Sequence, residues 1–209
     1  MTTGVIHGVT VSHQRATVDE IESVASVDEE TVVRDLLTRD GVTEAFALQT
    51  CNRAEAYVVT EAAADGRAAL SDFAPDVRDG AVREMDHETS LRHLMRVAAG
   101  LESLVLGEDQ IIGQFRRAFE TARGVGGIGA VLDPALTKAL HVGERARTET
   151  GINEGVVSLG SAAVELAARE RDLDGATALV VGAGEMGRIA AQAFDDTGVS
   201  TIVVANRTV

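Results

Sequence analysis

Cysteine is almost absent: Cys51 is the only one in 209 residues. A single thiol excludes an internal disulfide. With no Cys-x-x-Cys pair and no histidine-rich tract, a zinc site would need scattered ligands, and no structural metal is expected. Lysine is as scarce, Lys138 standing alone among 19 basic residues against 33 acidic ones, for a net charge of −14. That balance disfavours a general nucleic-acid coat, which usually rests on a basic face; an RNA partner would have to be gripped locally, by arginines and by shape. The acidic excess fits a well-solvated surface or adaptation to a salty, halophilic cytoplasm, since screening shortens the Debye length to ~3 Å at 1 M salt. There is no run of ~18 or more apolar residues to span a bilayer. The opening "MTTGVIHGVT" lacks the basic and apolar regions of a signal peptide, so no membrane role and a cytoplasmic location are expected.

What is present is the composition of a globular chain of one to two domains, 45% apolar and 25% charged, without repeats. "GVIHGVTVS" alternates as a strand, and "DEIESVASVDEETVVRDLLTRDG" has helical spacing up to Gly41. "VTEAFALQT" and "AEAYVVTEA" read as two strands flanking "CNR", which puts Cys51 where one strand hands over to the next. From Asp86 the period becomes helical, with Leu91, Leu94, Met95 and Ala98 as the apolar stripe. A second helix covers "DQIIGQFRRAFETAR" up to the break "GVGGIG", and a third follows Asp133, read as an N-cap before Pro134. Residues 1–150 are thus expected to form an α+β domain, and 151–175 a linker containing the helix "SLGSAAVELAARERD".

Residues 176–209 change grammar. "TALVVGAGEMGRIAAQAFDDTGVSTIVVANRT" is a buried strand, a glycine turn, a helix and a second strand, the first βαβ of an α/β Rossmann-type domain. Gly182, Gly184 and Gly187 form GxGxxG, in which glycines make the tight turn, admit a pyrophosphate to the backbone and let helix and strand approach. The loop Gly182, Ala183, Gly184, Glu185, Met186 and Gly187 is the candidate cofactor site. Where an NAD site would place an acidic residue after the second strand, this chain has Asn206, Arg207 and Thr208; a cation and a hydroxyl suit the 2′-phosphate of NADPH. Such a sheet normally has more strands, so the chain is expected to be a piece of a longer protein.

Cys51 has two readings on physical grounds. A free cysteine is commonly a small core hydrophobe. Yet Thr50, Asn52 and Arg53 are poor core company, and Arg53 could lower the thiol pKa and make a nucleophile. A nucleophilic thiol and a nicotinamide together can reduce an activated carboxyl through a thioester.

"LQTCNRAEAY", "LRHLMRVAAGLESLVLGEDQIIGQFRRAF", "GSAAVELA" and "VVGAGEMG", in this order over essentially the whole chain, resemble the motifs of the glutamyl-tRNA reductase family. The resemblance implies that Cys51 attacks the ester of glutamyl-tRNA(Glu) and that NADPH reduces the thioester to glutamate-1-semialdehyde, opening tetrapyrrole (porphyrin) biosynthesis. It implies a pocket of Thr50, Asn52 and Arg53 facing Ser103, Glu108, Asp109, Gln110 and Gln114, with His93 needed for activity. Read from the helix alone, His93 is a boundary residue beside the stripe. Arg53 is the candidate fork for the substrate carboxylate. Glu108 either meets the substrate ammonium group or caps the helix starting at Asp109, a position where the family often has proline. Full-length relatives are homodimers, and glutamate-1-semialdehyde aminotransferase is a candidate partner. Two other readings compete: a non-catalytic relative that binds tRNA or another partner, and a different NADP-linked oxidoreductase with an incidental cysteine.

Overall fold

Alternating β-branched and small residues build the first sheet, from β1 (Val5–Ser12), β2 (Glu44–Thr50), β3 (Arg53–Thr60) and the short β4 (Val82–Met85). The computed structural model describes residues 4–152 and 159–207. The strands lie in the order β2-β3-β1-β4, every neighbouring pair antiparallel.

The helical run expected up to Gly41 is two helices, α1 (Val18–Val24) and α2 (Glu29–Leu37). Two caps divide it. Thr17 and Glu20 form a capping box on α1, and Asp28 accepts from the Thr31 amide to start α2 afresh. α3 (Ala63–Leu70) links β3 to β4, completing a split β-α-β order. Its Gly66 sits against the His7 ring on one face of the sheet.

The opposite face carries α4 (His87–Ala98), α5 (Gln110–Gly124) and α6 (Leu132–Glu149). Phe46 of β2 touches both Tyr57 of β3 and Phe115 of α5, with ring centroids 5.8 and 5.5 Å apart, and this aromatic cluster anchors the helices to the sheet. α6 begins earlier than the Asp133 cap reading places it. Its first amides are met from across the fold: Glu44 of β2 accepts from Val131 N at 2.9 Å and Leu132 N at 2.6 Å. Gly129 makes room for that carboxylate, since a Cβ there would lie 2.6 Å from Glu44 Oε1. Asp133 instead pairs with Arg123 at 2.6 Å.

The βαβ reading holds. β5 (Thr177–Val181) and β6 (Thr201–Ala205) are parallel neighbours, joined through α8 (Glu185–Asp195), and α7 (Leu159–Glu170) packs on α8. Leu179 and Val181 are 63% and 81% exposed, so among the described residues nothing covers this apolar face of the small sheet. Ser158, the first residue of the expected linker helix, lies outside the described residues. The chain is therefore an α+β domain followed by the start of a Rossmann-type unit. No helix among the described residues is long and apolar enough to cross a membrane.

Candidate active site

Pairing of Thr50 with Arg53 leaves only Cys51 and Asn52 to turn the β2–β3 hairpin. Tight turns of this kind usually need left-handed residues. Here none is required, for no non-glycine residue among the described ones has a positive φ. The Thr50 hydroxyl accepts from Asn52 N at 3.2 Å, and the Asn52 carbonyl accepts from His13 N at 3.0 Å. Cys51 is thus held at a hairpin tip and is exposed, which removes the core-packing reading.

The tip faces the loop between α4 and α5. Thr50, Cys51, Asn52 and Arg53 make one wall of a cleft; Ser103, Glu108, Ile111 and Gln114 make the other. Its free volume is ≈ 10 Å³, about that of one water. The opposite wall is pinned by Arg147 of α6, whose guanidinium donates to the carbonyls of Ala98, Gly143 and Glu108.

Three expected site residues stand apart from this cleft. Asp109 turns outward to Arg147 at 3.1 Å and caps nothing, its helix having no side-chain cap. Gln110 opens α5 without lining the cleft. His93 lies within the buried face of α4, which runs Ser90, His93, Leu94, Val97 and Ala98 and so keeps Leu94 and Ala98 of the stripe read from the sequence while leaving Leu91 and Met95 at its edge. It borders a different cavity.

His93 meets the cleft through a buried polar network. Arg53, Glu55 and Tyr57 alternate along β3 and so point to one side. Glu55 Oε1 accepts from Arg53 Nη1 at 2.9 Å and Thr10 Oγ1 at 3.0 Å, and lies 2.8 Å from His93 Nε2. Glu55 Oε2 accepts from Tyr57 Oη at 2.7 Å, and Arg53 Nη2 also donates to the Glu102 carbonyl. Burial alone would raise the Glu55 pKa; the charges of His93 and Arg53 and the hydrogen bonds outweigh it and hold the carboxyl far below its usual range. Tyr57 is pushed the other way, by burial and by Glu55.

Arg53 therefore does not activate the thiol. Its charge is matched by Glu55, and the Cys51 pKa is raised, first by burial and then by the charge of Glu108. Glu108 is itself raised by burial, against the pull of Arg53. Its carboxylate caps no helix and faces the cleft. Because the thiolate is the reactive form, alkylation of Cys51 by iodoacetamide should climb through a midpoint above the ordinary thiol range. In Glu108→Gln the midpoint should fall and the rate at neutral pH rise severalfold. An unshifted profile would show that Glu108 does not bear on the sulfur.

The glycine loop has the geometry for a dinucleotide pyrophosphate. Gly182 has φ +106° and donates its amide to the Ala205 carbonyl at 2.7 Å; Gly184 is the N-cap of α8. Nothing lies within 4 Å of where a Cβ would stand at Gly182 or Gly184, whereas one at Gly187 would lie 2.0 Å from the Gly182 carbonyl oxygen. Two glycines open the backbone to an anion and the third closes helix onto strand. Arg207 is exposed beyond β6. Thr208 lies outside the described residues.

Glu55, Glu102, Ile111 and Arg147 were not singled out from the sequence. Only Glu55 left a usable signal, the polar alternation Arg53, Glu55, Tyr57 opposite Ala54, Ala56 and Val58.

Residues 9–150 match the family "Glutamyl-tRNAGlu reductase, N-terminal domain", and residues 165–209 match "Shikimate / quinate 5-dehydrogenase". A glutamyl-tRNA reductase of Haloquadratum walsbyi is 63% identical over 100% of this chain and 46% of its own length. That of Methanocella arvoryzae is 47% identical over 96% of this chain and 47% of its own. The chain thus spans about half the length of the curated relatives it matches. Among solved structures, the glutamyl-tRNA reductase from Methanopyrus kandleri aligns with a TM-score of 0.70 at 40% identity, covering 97% of this chain and 49% of that one. Relatives at 57–63% identity come from haloarchaea, which supports the reading of the acidic surface as salt adaptation. With residues 9–150, more than half of the chain, matched to the family's N-terminal domain, the chain belongs to the glutamyl-tRNA reductase family.

Proposed function

We propose that the complete protein reduces glutamyl-tRNA(Glu) to glutamate-1-semialdehyde, the first step of tetrapyrrole synthesis, and that this chain carries the acyl-transfer half of the reaction. The observation that supports it best is Cys51, exposed at a rigid hairpin tip between two polar walls. In this reading the Cys51 thiolate adds to the ester carbonyl. The carbon–oxygen bond to the terminal ribose then breaks, the tRNA leaves with a proton, and a glutamyl thioester remains on sulfur. Arg53, anchored to Glu55, offers the rest of its fork to the substrate's side-chain carboxylate, and Glu108 meets the α-ammonium group. Thr50, Asn52, Ser103 and Gln114 orient the acyl group. His93 positions Arg53 by sharing Glu55 with it.

The family and the dehydrogenase-like match at residues 165–209 support a nicotinamide cofactor. Gly182 to Gly187 hold its pyrophosphate and Arg207 favours NADPH. Bound there, NADPH would supply the hydride for reducing the thioester to the aldehyde, and Cys51 would leave as the thiolate, ready for another acyl group.

The chain, incubated with glutamyl-tRNA without NADPH and quenched in acid, should carry one glutamyl group on the peptide containing Cys51, seen by mass spectrometry. A bare thiol from folded protein would refute the acyl-transfer reading.

A further inference from the structure

A second basic cavity adjoins the cysteine cleft. On α4, Thr89, Arg92, His93 and Arg96 recur at spacings of three and four and share one side of the helix. With Arg83 of β4 and Glu102 they enclose ≈ 160 Å³. The two spaces are adjacent: Glu102 borders one and Ser103 the other, and Arg53 on the cleft side is bonded to the Glu102 carbonyl.

Two of the three guanidinium groups here are loosely neutralised. Arg92 pairs with Glu88, but the two side chains are 69% and 82% exposed, so water competes well with the pair. Arg96 is held by Glu102. Arg83 has no carboxylate partner among the described residues. An anion with several oxygens can engage Arg83, the free sides of Arg92 and Arg96, and the Thr89 hydroxyl together. Glu88 would swing into solvent; Glu102 can stay on Arg96. The match is to phosphate, which bidentate guanidinium forks grip even in salt, where unpaired surface charges are screened. In a chain of net charge −14, a polyanion can be held only at such a local cluster.

We propose that this cavity takes a backbone phosphate of the single-stranded 3′ end of the tRNA whose terminal ester Cys51 attacks. The proposal rests on the reaction proposed above, and it identifies how the substrate's polyanionic part is positioned. The phosphates of the dinucleotide have their own place at the glycine loop.

The test is uncharged tRNA(Glu) binding, followed by fluorescence anisotropy over a range of potassium chloride in which the chain stays folded. R83Q/R92Q/R96Q should bind at least tenfold more weakly. Each phosphate contact on a single strand contributes about 0.7 to the slope of log affinity against log salt, and the three guanidinium groups share one phosphate, so the slope should flatten by about 0.7. R92Q/R96Q alters only exposed side chains and should show an intermediate loss, which covers the case in which the Arg83 change disturbs β4. R116Q/R145Q removes as much charge as R92Q/R96Q, from α5 and α6, and should leave binding unchanged. A blunt RNA duplex without the single-stranded end should not distinguish wild type from the triple variant. Wild-type affinity and slope in the cavity variants would overturn the proposal. So would an equal loss in R116Q/R145Q, or an equal loss with the duplex. Binding is measured here without chemistry, so a bare Cys51 in the trapping experiment would sink the reaction while leaving this result to stand or fall separately.

Discussion

Glu55→Ala should lower the stability of the N-terminal domain by about 3–5 kcal/mol, the usual cost of removing one partner from a buried ion pair. The variant keeps Arg53 buried at 1% exposure with its charge unmatched, and it strands the hydroxyls of Thr10 and Tyr57 and the His93 ring. Against a typical total of about 5–15 kcal/mol, that is enough to shift a urea midpoint visibly or to unfold the domain. Glu55→Gln keeps an acceptor and a similar volume and should lose less. The pH dependence has a definite sign. Because the folded carboxyl lies below its unfolded value, its contribution is full above the ordinary carboxylate range and is lost as pH falls through that range toward the folded value. A urea midpoint in Glu55→Ala equal to wild type would mean that Arg53 finds its counter-charge elsewhere.

The same network shows where sequence reasoning ran out. Strand and turn chemistry were legible around Cys51 because alternation and a polar turn are local signals, and Thr50, Asn52, Arg53, Ser103, Glu108 and Gln114 do line one cleft with it. The helical rotation of α4 was less legible. Leu91 and Met95 are apolar but only partly buried, while Ser90 and His93 are buried, Ser90 on the nearby Met85 carbonyl and His93 on Glu55 of β3. Polar residues on a buried face defeat a hydrophobic stripe, and the partner that buries His93, Glu55, is distant in sequence. The start of α6 failed for the same reason: Glu44, 87 residues away from Val131, supplies the cap that Asp133 was expected to provide. The charge at the sulfur was misjudged because Arg53 is visible beside Cys51 in the chain, whereas the countering Glu55 contact and the approach of Glu108 belong to the tertiary structure. The glycine loop was readable as a unit, every element of that βαβ being consecutive.

Cys51→Ser should reverse the pattern of Glu55→Ala, losing reaction and keeping the fold. The side chain is exposed and at the hairpin tip, so the unfolding free energy should stay within about 0.5 kcal/mol of wild type. Deacylation of glutamyl-tRNA should fall by about 10³-fold or more, because an alcohol is almost wholly protonated where a thiol supplies some thiolate, and no base among the cleft residues is hydrogen-bonded to position 51 to compensate. The raised thiol pKa makes this comparison sharper. The wild-type rate should increase with pH up to a midpoint above the ordinary thiol range, while the serine variant should show no such limb. Rates are best taken at saturating tRNA, where a change reflects the chemical step and not the grip on the polyanion. If Cys51→Ser cleaves the ester at a rate near wild type with the same pH profile, the sulfur is not the nucleophile, and the cleft acts by binding alone.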